Sequence, residues 1–177
     1  DTIISSGAIG EVLEECIGCG LCQKVCPYGA IELLETPEGK KARIIPPICK
    51  GCGACSSRCP TWAISQHHFT DSQILSQIHA VYSVPVKKME PKIIAFLCNW
   101  CGYAAADLAG VSKYQFSPNI RVIRVMCSAR VSIKFIIEAF SCGIDGILVV
   151  GCRLEDCHYI SGIYETLKTI PAAQIIL

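Results

Sequence analysis

The sequence predicts an α+β module built on a two-fold repeat of cysteine-rich loops, followed by a small α/β domain with a short parallel sheet. Three observations lead there. The run CIGCGLCQKVCP, Cys16 to Pro27, returns as CKGCGACSSRCP, Cys49 to Pro60, so the repeat offset is 33 residues. Pro85, two lysines and Pro91 then mark a linker. Beyond it short apolar runs alternate with helical patterns, the signature of strand-helix crossovers over a parallel sheet.

Taken in order, the first module spans 1–66, with its repeat in residues 10 to 66. Each cysteine run precedes a segment able to pair as a strand, YGAIELL and TWAISQ, and ETPEGKKARIIPP between them carries the Pro and Gly punctuation of a hairpin. Residues 67–90 form an amphipathic helix and linker: Thr70 is the N-cap with Gln73 at the capping-box position, and Ile74, Leu75, Ile78, Val81 and Tyr82 share one face. Over 91–177 the expected strands are KIIAFL (92–97), RVIRVM (121–126) and GILVV (146–150). AAADLAG, VSIKFIIEAF and YISGIYETLKTI are the helical candidates, and the length leaves room for three or four strands.

Composition narrows the classes. Half of the 177 residues are apolar, enough for a sizeable core, and the net charge of +1 is mixed along the chain with no Lys/Arg stripe, against a nucleic-acid partner. The apolar runs fall short of the ~18 residues a membrane-spanning helix needs, so no membrane partner is expected. DTIISSGAIG has no basic and apolar regions of a secretory signal. A soluble, cytoplasmic protein of a reducing compartment is expected, and the missing initiator Met and apolar Ile175, Ile176 and Leu177 suggest a piece trimmed from a longer polypeptide.

Fourteen cysteines need a chemical account. Each repeat is C-x2-C-x2-C-x3-C-P, the spacing of bacterial two-cluster ferredoxins. Three thiolates separated by two residues wrap three irons of one cubane, because Gly18, Gly20, Gly51 and Gly53 allow a tight loop whose N–H groups point at sulfur. The fourth cysteine is carried away and Pro27 or Pro60 breaks the chain behind it. In this pattern it ligates the other cluster, which assigns one 4Fe-4S cluster to Cys16, Cys19, Cys22 and Cys59 and a second to Cys49, Cys52, Cys55 and Cys26. A zinc ribbon needs two CxxC pairs instead, and thiols so close in sequence strain a disulfide. Gly29, Thr61 and Trp62 are expected to pack around the clusters.

A second set lies in the C-terminal half. Cys98, Cys127 and Cys152 each follow an expected strand, at the carboxyl edge where an open α/β sheet has its crevice, and Cys101 and Cys157 lie close behind. Five thiols without a tight triple run suit a 2Fe-2S cluster, which takes four. A tetrahedral zinc site and a redox dithiol at Cys98 and Cys101 are the competing readings. Cys142, at a helix end away from the crevice, is expected to be an incidental thiol. His67, His68 and His79 are expected to be structural or solvated, as is His158, for which a hydrogen bond to a cluster sulfur or replacement of a ligand is the minor alternative, and Arg130 to anchor its loop or balance cluster charge.

At the level of whole motifs, FLCNWCGYAAADLAG, RVMCSARV, AFSCGIDGILVVGC and GCRLEDCHYISG together resemble the delta subunit of methyl-viologen-reducing hydrogenase, an iron-sulfur protein of methanogens and some sulfate reducers. CPYGAIEL, CKGCGAC and QHHFTDSQILSQI resemble the C-terminal ferredoxin segment of the heterodisulfide reductase A-subunit. The resemblance implies an electron wire. The delta-like domain would receive electrons from a hydrogenase, formate dehydrogenase or deazaflavin-oxidising partner. It would pass them through the ferredoxin clusters to the flavin-containing part of the A-subunit of heterodisulfide reductase and to the other subunits of that complex. There bifurcation or confurcation takes place. Cys98, Cys101, Cys127, Cys152 and Cys157 match the family's cysteines, four of them as ligands, whereas Cys142 and the tail after Gly162 depart from it. With no Gly-rich phosphate loop, nucleophile elbow or GxGxxG, outer-sphere electron transfer without bond chemistry is expected, the chain being no enzyme on its own. The alternative is a ferredoxin tethered to a zinc-binding docking domain.

Overall fold

The computed structural model describes residues 7–85 and 90–177; the N-terminal segment before Gly7 and the lysine-bearing linker at 86–89 lie outside the described residues. In the first module each cysteine run closes into a short helix, α1 (Leu21–Val25) and α2 (Ala54–Arg58). Cys26 and Cys59 then leave in extended backbone, as the proline that follows each requires, since its ring disfavours the helical region for the residue before it. That is how the fourth thiol parts from the first three. β2 (Ile31–Thr36) and β3 (Gly39–Ile44) form the expected antiparallel hairpin, closed by Thr36 opposite Gly39. β4 (Ile64–Gln66) pairs with β1 (Gly10–Val12), a strand too short to show a period-two pattern.

The connecting helix α3 (Asp71–Ser83) carries the full capping box: Gln73 N–H donates to Thr70 Oγ1 at 3.2 Å and Thr70 N–H to Gln73 Oε1 at 2.9 Å. It is no free spacer. Its Ile74 and Ile78 are buried among Ile94, Phe96, Ile123, Val125, Phe135 and Ala139, the core of the C-terminal layer.

That layer is a three-stranded parallel sheet ordered β6-β5-β7, from β5 (Ile93–Cys98), β6 (Ile120–Val125) and β7 (Gly146–Val150). β5 in the centre is buried almost along its length, as a strand covered on both faces must be. The helices are α4 (Ala104–Val111), α5 (Ile133–Ser141) and α6 (Gly162–Ile176). α6 runs past Pro171, where the helical pattern is expected to stop; a proline removes one intrahelical N–H donor, yet the helix continues and buries Ala173 in the core. Among the described residues no helix is long and apolar enough to cross a membrane.

Polar contacts tie the module and the connecting segment to the layer. Ser57 Oγ donates to Ala129 O at 2.6 Å, Arg58 pairs with Glu165 at 2.9 Å, and Arg130 donates to Phe69 O.

Candidate metal centres

All fourteen thiols are free, and the first eight line two small, mostly apolar cavities. One is lined by Cys16, Cys19, Cys22 and Cys59; the other by Cys26, Cys49, Cys52 and Cys55. The fourth thiol of each run thus stands with three of the other. Backbone amides point at sulfur: Ala42 N–H to Cys16 Sγ at 3.4 Å and Ala63 N–H to Cys59 Sγ at 3.2 Å. Burial pushes the Cys52 thiol up to about 11, and raises Cys55 and Cys22 as well. Four thiols in one apolar pocket lose their protons together only to a strong cation, so the donor set fits an iron cluster.

The C-terminal thiols owe their position to strand register. Cys98 ends β5 opposite Val125, and Leu97 stands opposite Val150, so Cys127 and Cys152 emerge two residues beyond the level ends of their strands. All five thiols belong to this edge, but they sort into a trio and a pair. The Cys98, Cys101 and Cys152 sulfurs lie within 4.8 Å of one another, with Cys98 and Cys152 4.0 Å apart. Cys98 Sγ caps the π-helical turn Asn99–Tyr103, accepting from Cys101 N–H at 3.4 Å and Gly102 N–H at 3.2 Å. Cys157 instead accepts a hydrogen bond from the Cys127 thiol and further ones from the amides of Ile163, Tyr159 and Gly162, which draws it below the ordinary thiol range; the same bond and burial drive Cys127 up. Burial also raises Cys152 to about 12.

Between the two halves lies an apolar cluster. Met126, Cys127, Ala129 and Tyr159 pack with Ala8 and Ala54, and Cys52, Tyr28, Trp100 and Cys157 close against them. Burial raises the Tyr28 hydroxyl, with the neighbouring thiols Cys52, Cys127 and Cys157 adding to it, and raises Tyr159 to about 12. These aromatic residues escape a search for ligands. Their one sequence signal is position: Tyr28 and Tyr159 each stand two places after a terminal cysteine, Cys26 and Cys157.

The remaining candidates fall outside the thiol sets. The His158 ring stacks on Trp100 at 3.8 Å, and its backbone N–H bonds the Cys152 sulfur. His67 faces Glu11 at 3.5 Å. His79 pairs with Glu138 at 2.7 Å, beside Cys142, whose thiol is 3.8 Å from the same carboxylate. Thr61 Oγ1 lies 3.6 Å from Cys59 Sγ, whereas Trp62 turns outward under Lys134 instead of packing at a cluster. Arg130 anchors its loop, with Nη2 2.6 Å from Asp71 Oδ1.

Comparison with known proteins follows this division. The family profile described as methyl-viologen-reducing hydrogenase, delta subunit, matches residues 93–177, and that of the 4Fe-4S dicluster domain matches residues 15–63. The chain is 47% identical over 164 residues to the A-subunit of the ferredoxin:CoB-CoM heterodisulfide reductase of Methanosarcina mazei, covering 93% of this chain and 20% of the relative. It is 48% identical over 155 residues to the A-subunit of the ferredoxin/F(420)H(2)-dependent CoB-CoM heterodisulfide reductase of Methanosarcina acetivorans, covering 88% and 19%. To the iron-sulfur D-subunit of the vhc F420-non-reducing hydrogenase of Methanococcus voltae it is 54% identical over 81 residues, covering 46% and 56%. The chain spans about a fifth of the length of the heterodisulfide reductase relatives it matches.

Proposed function

The chain belongs to the methyl-viologen-reducing hydrogenase delta subunit family over residues 93–177, fused to a 4Fe-4S dicluster domain over residues 15–63, and from that membership we propose that it relays single electrons within a heterodisulfide reductase complex. Cys16, Cys19, Cys22 and Cys59 would hold one 4Fe-4S cluster, Cys26, Cys49, Cys52 and Cys55 the other, and four of Cys98, Cys101, Cys127, Cys152 and Cys157 a 2Fe-2S cluster. Bound there, these groups supply one-electron carriage at potentials tuned by ligation, hydrogen bonding and burial. The chain's own residues space the three sets, exclude water between them and direct amide hydrogen bonds at the sulfurs.

One observation carries the reading: Cys52 of the first module and Cys127 and Cys157 of the layer belong to a single packed apolar cluster, with Tyr28 and Tyr159 among them. Electrons would enter at the C-terminal thiols from a hydrogenase, formate dehydrogenase or deazaflavin-oxidising partner. They would leave through the cubanes toward the flavin-containing part of the A-subunit of heterodisulfide reductase and toward the other subunits of the complex. The names of the relatives, which mention hydrogenase, ferredoxin and F(420)H(2), support partners of that kind. Fourteen free thiols suit a reducing, cytoplasmic compartment.

A second reading rests on the trio alone. Three sulfurs within 4.8 Å also suit tetrahedral zinc with a fourth ligand, which would make the layer a docking domain without a redox role. Iron, zinc and acid-labile sulfide per chain, with EPR of the dithionite-reduced sample, decide. About ten irons with a 2Fe-2S signal lost in Cys152→Ser is the expected result, and about eight irons with one zinc overturns it.

A further inference from the structure

Arg130 is a fully buried cation, 0% exposed, that comes from the C-terminal layer yet lies against the second cysteine run. Its fork is satisfied on one side only. Nε and Nη2 donate to Phe69 O at 3.2 and 2.9 Å, and Nη2 donates to Asp71 Oδ1 at 2.6 Å. Nη1 is buried without a partner among the described residues. Arg130 Cδ lies 2.5 Å from where a β-carbon on Gly53 would sit, so the side chain that carries this guanidinium packs on the loop between Cys52 and Cys55. Gln66 Oε1, a buried acceptor also lacking a partner, abuts the same glycine, while Gln66 Nε2 donates to Gly51 O.

The repeat supplies an internal control. Gly20 occupies in the first run the place of Gly53 in the second, and its nearest neighbour is Leu33 Cδ1 at 3.3 Å. Only an apolar side chain stands at the first site, whereas Gln66 and the Cδ of a buried arginine stand at the second. No charged residue lines the first cavity among the described residues, and Lys50 at the second is exposed, hence screened by water. The groups facing Arg130 are Asp71, itself shared with Lys134 at 3.3 Å, and the Phe135 ring 4.9 Å from the guanidinium, which leaves the local sum at one positive charge, with Arg130 buried and Asp71 and Lys134 half-buried.

We propose that Arg130 is a positioning residue for electron flow, holding the potential of the centre at Cys26, Cys49, Cys52 and Cys55 above that of the centre at Cys16, Cys19, Cys22 and Cys59. The inference rests on the reading that both cysteine sets hold clusters. Adding an electron to a thiolate-bound cluster adds negative charge, and a fixed buried cation nearby favours that state. The docked layer therefore makes the nearer station the easier one to reduce.

The test is an anaerobic redox titration of the full iron-loaded chain, followed by EPR, with Cys55→Ser used to assign the second set's signal. In Arg130→Met the reduced-to-oxidised ratio of that centre at fixed potential is expected to fall at least tenfold, equal to 59 mV for one electron, while the other cubane stays put and Arg130→Lys keeps most of the wild-type value. Asp71→Asn, which removes the counter-charge, is expected to move the same centre the opposite way. Unmoved centres, or equal shifts in both cubanes, overturn the proposal; where Arg130→Met fails to take up iron, an unchanged Asp71→Asn overturns it. A wild-type chain without two 4Fe-4S signals would instead sink the cluster reading beneath it.

Discussion

Arg58 and Glu165 clamp the cysteine module to the last helix of the layer: Nη2 of Arg58 lies 2.9 Å from Glu165 Oε2, Nε donates to the same oxygen at 3.1 Å, and Nη2 also reaches Glu165 O at 3.3 Å. The carboxylate is mostly buried, and Lys168 Nζ shares its other oxygen at 2.5 Å. Glu165→Gln removes the charge and leaves Arg58 partly desolvated, so about 1–2 kcal/mol of stability is expected to go. The urea midpoint of the iron-loaded chain should fall, and the loss should shrink as salt rises. A loss independent of salt would mean that the contact is packing alone.

The connecting helix makes a sharper prediction. Ile78 is fully buried between α3 and the sheet, and truncating an isoleucine in a packed core costs about 2–5 kcal/mol, so Ile78→Ala is expected to destabilise the C-terminal layer as a core mutation does. Ser76→Ala, two residues away on the exposed face, should change stability by no more than about 0.5 kcal/mol. Thermal unfolding of the two variants separates a helix that belongs to the layer from one that merely links two units.

Legibility followed the range of the forces. The strands KIIAFL, RVIRVM and GILVV, the capping box at Thr70 and Gln73, and the hairpin were visible because each rests on neighbours in sequence or on a simple period. The departure of Cys26 and Cys59 from their own runs was likewise written in the prolines behind them. Long-range placement was not. That α3 packs on the sheet, that the five C-terminal thiols part into a trio and a pair, and that Arg130 reaches across to Gly53 all depend on how layer and module dock. Docking leaves no periodic trace in the chain.

In iron-free protein the pair at Cys127 and Cys157 gives a pH prediction. Cys157 holds its proton less tightly folded than unfolded, so its contribution to stability is complete above the ordinary thiol value of 9.0 and fades as pH falls toward its lowered folded value. Cys127, raised, contributes fully below 9.0 and loses that as pH climbs. The two slopes have opposite sign. Iodoacetamide at neutral pH or below is expected to label Cys157 before Cys127, as peptide mapping by mass spectrometry would record, and Cys127→Ala should return the Cys157 profile toward the ordinary thiol range. Equal labelling of both thiols would contradict the hydrogen bond between them.

Gly53 and Gly29 share a left-handed backbone, φ 81 and 64, but not their surroundings. A β-carbon at Gly29 meets nothing within 4 Å, so Gly29→Ala is expected to cost only the conformational penalty, about 1 kcal/mol. At Gly53 the same carbon meets Arg130 Cδ at 2.5 Å and Gln66 Cδ at 3.0 Å, two buried side chains with no room to retreat. Gly53→Ala must therefore displace either the loop between Cys52 and Cys55 or the arginine that ties the layer to the module. Iron analysis discriminates. Gly29→Ala should keep the wild-type iron content, whereas Gly53→Ala should lose about four irons, those of one cubane, while the centre at Cys16, Cys19, Cys22 and Cys59 stays loaded. Full iron content in Gly53→Ala would show that the layer yields more easily than the cluster loop, and would place the energetic cost on the docking contact instead.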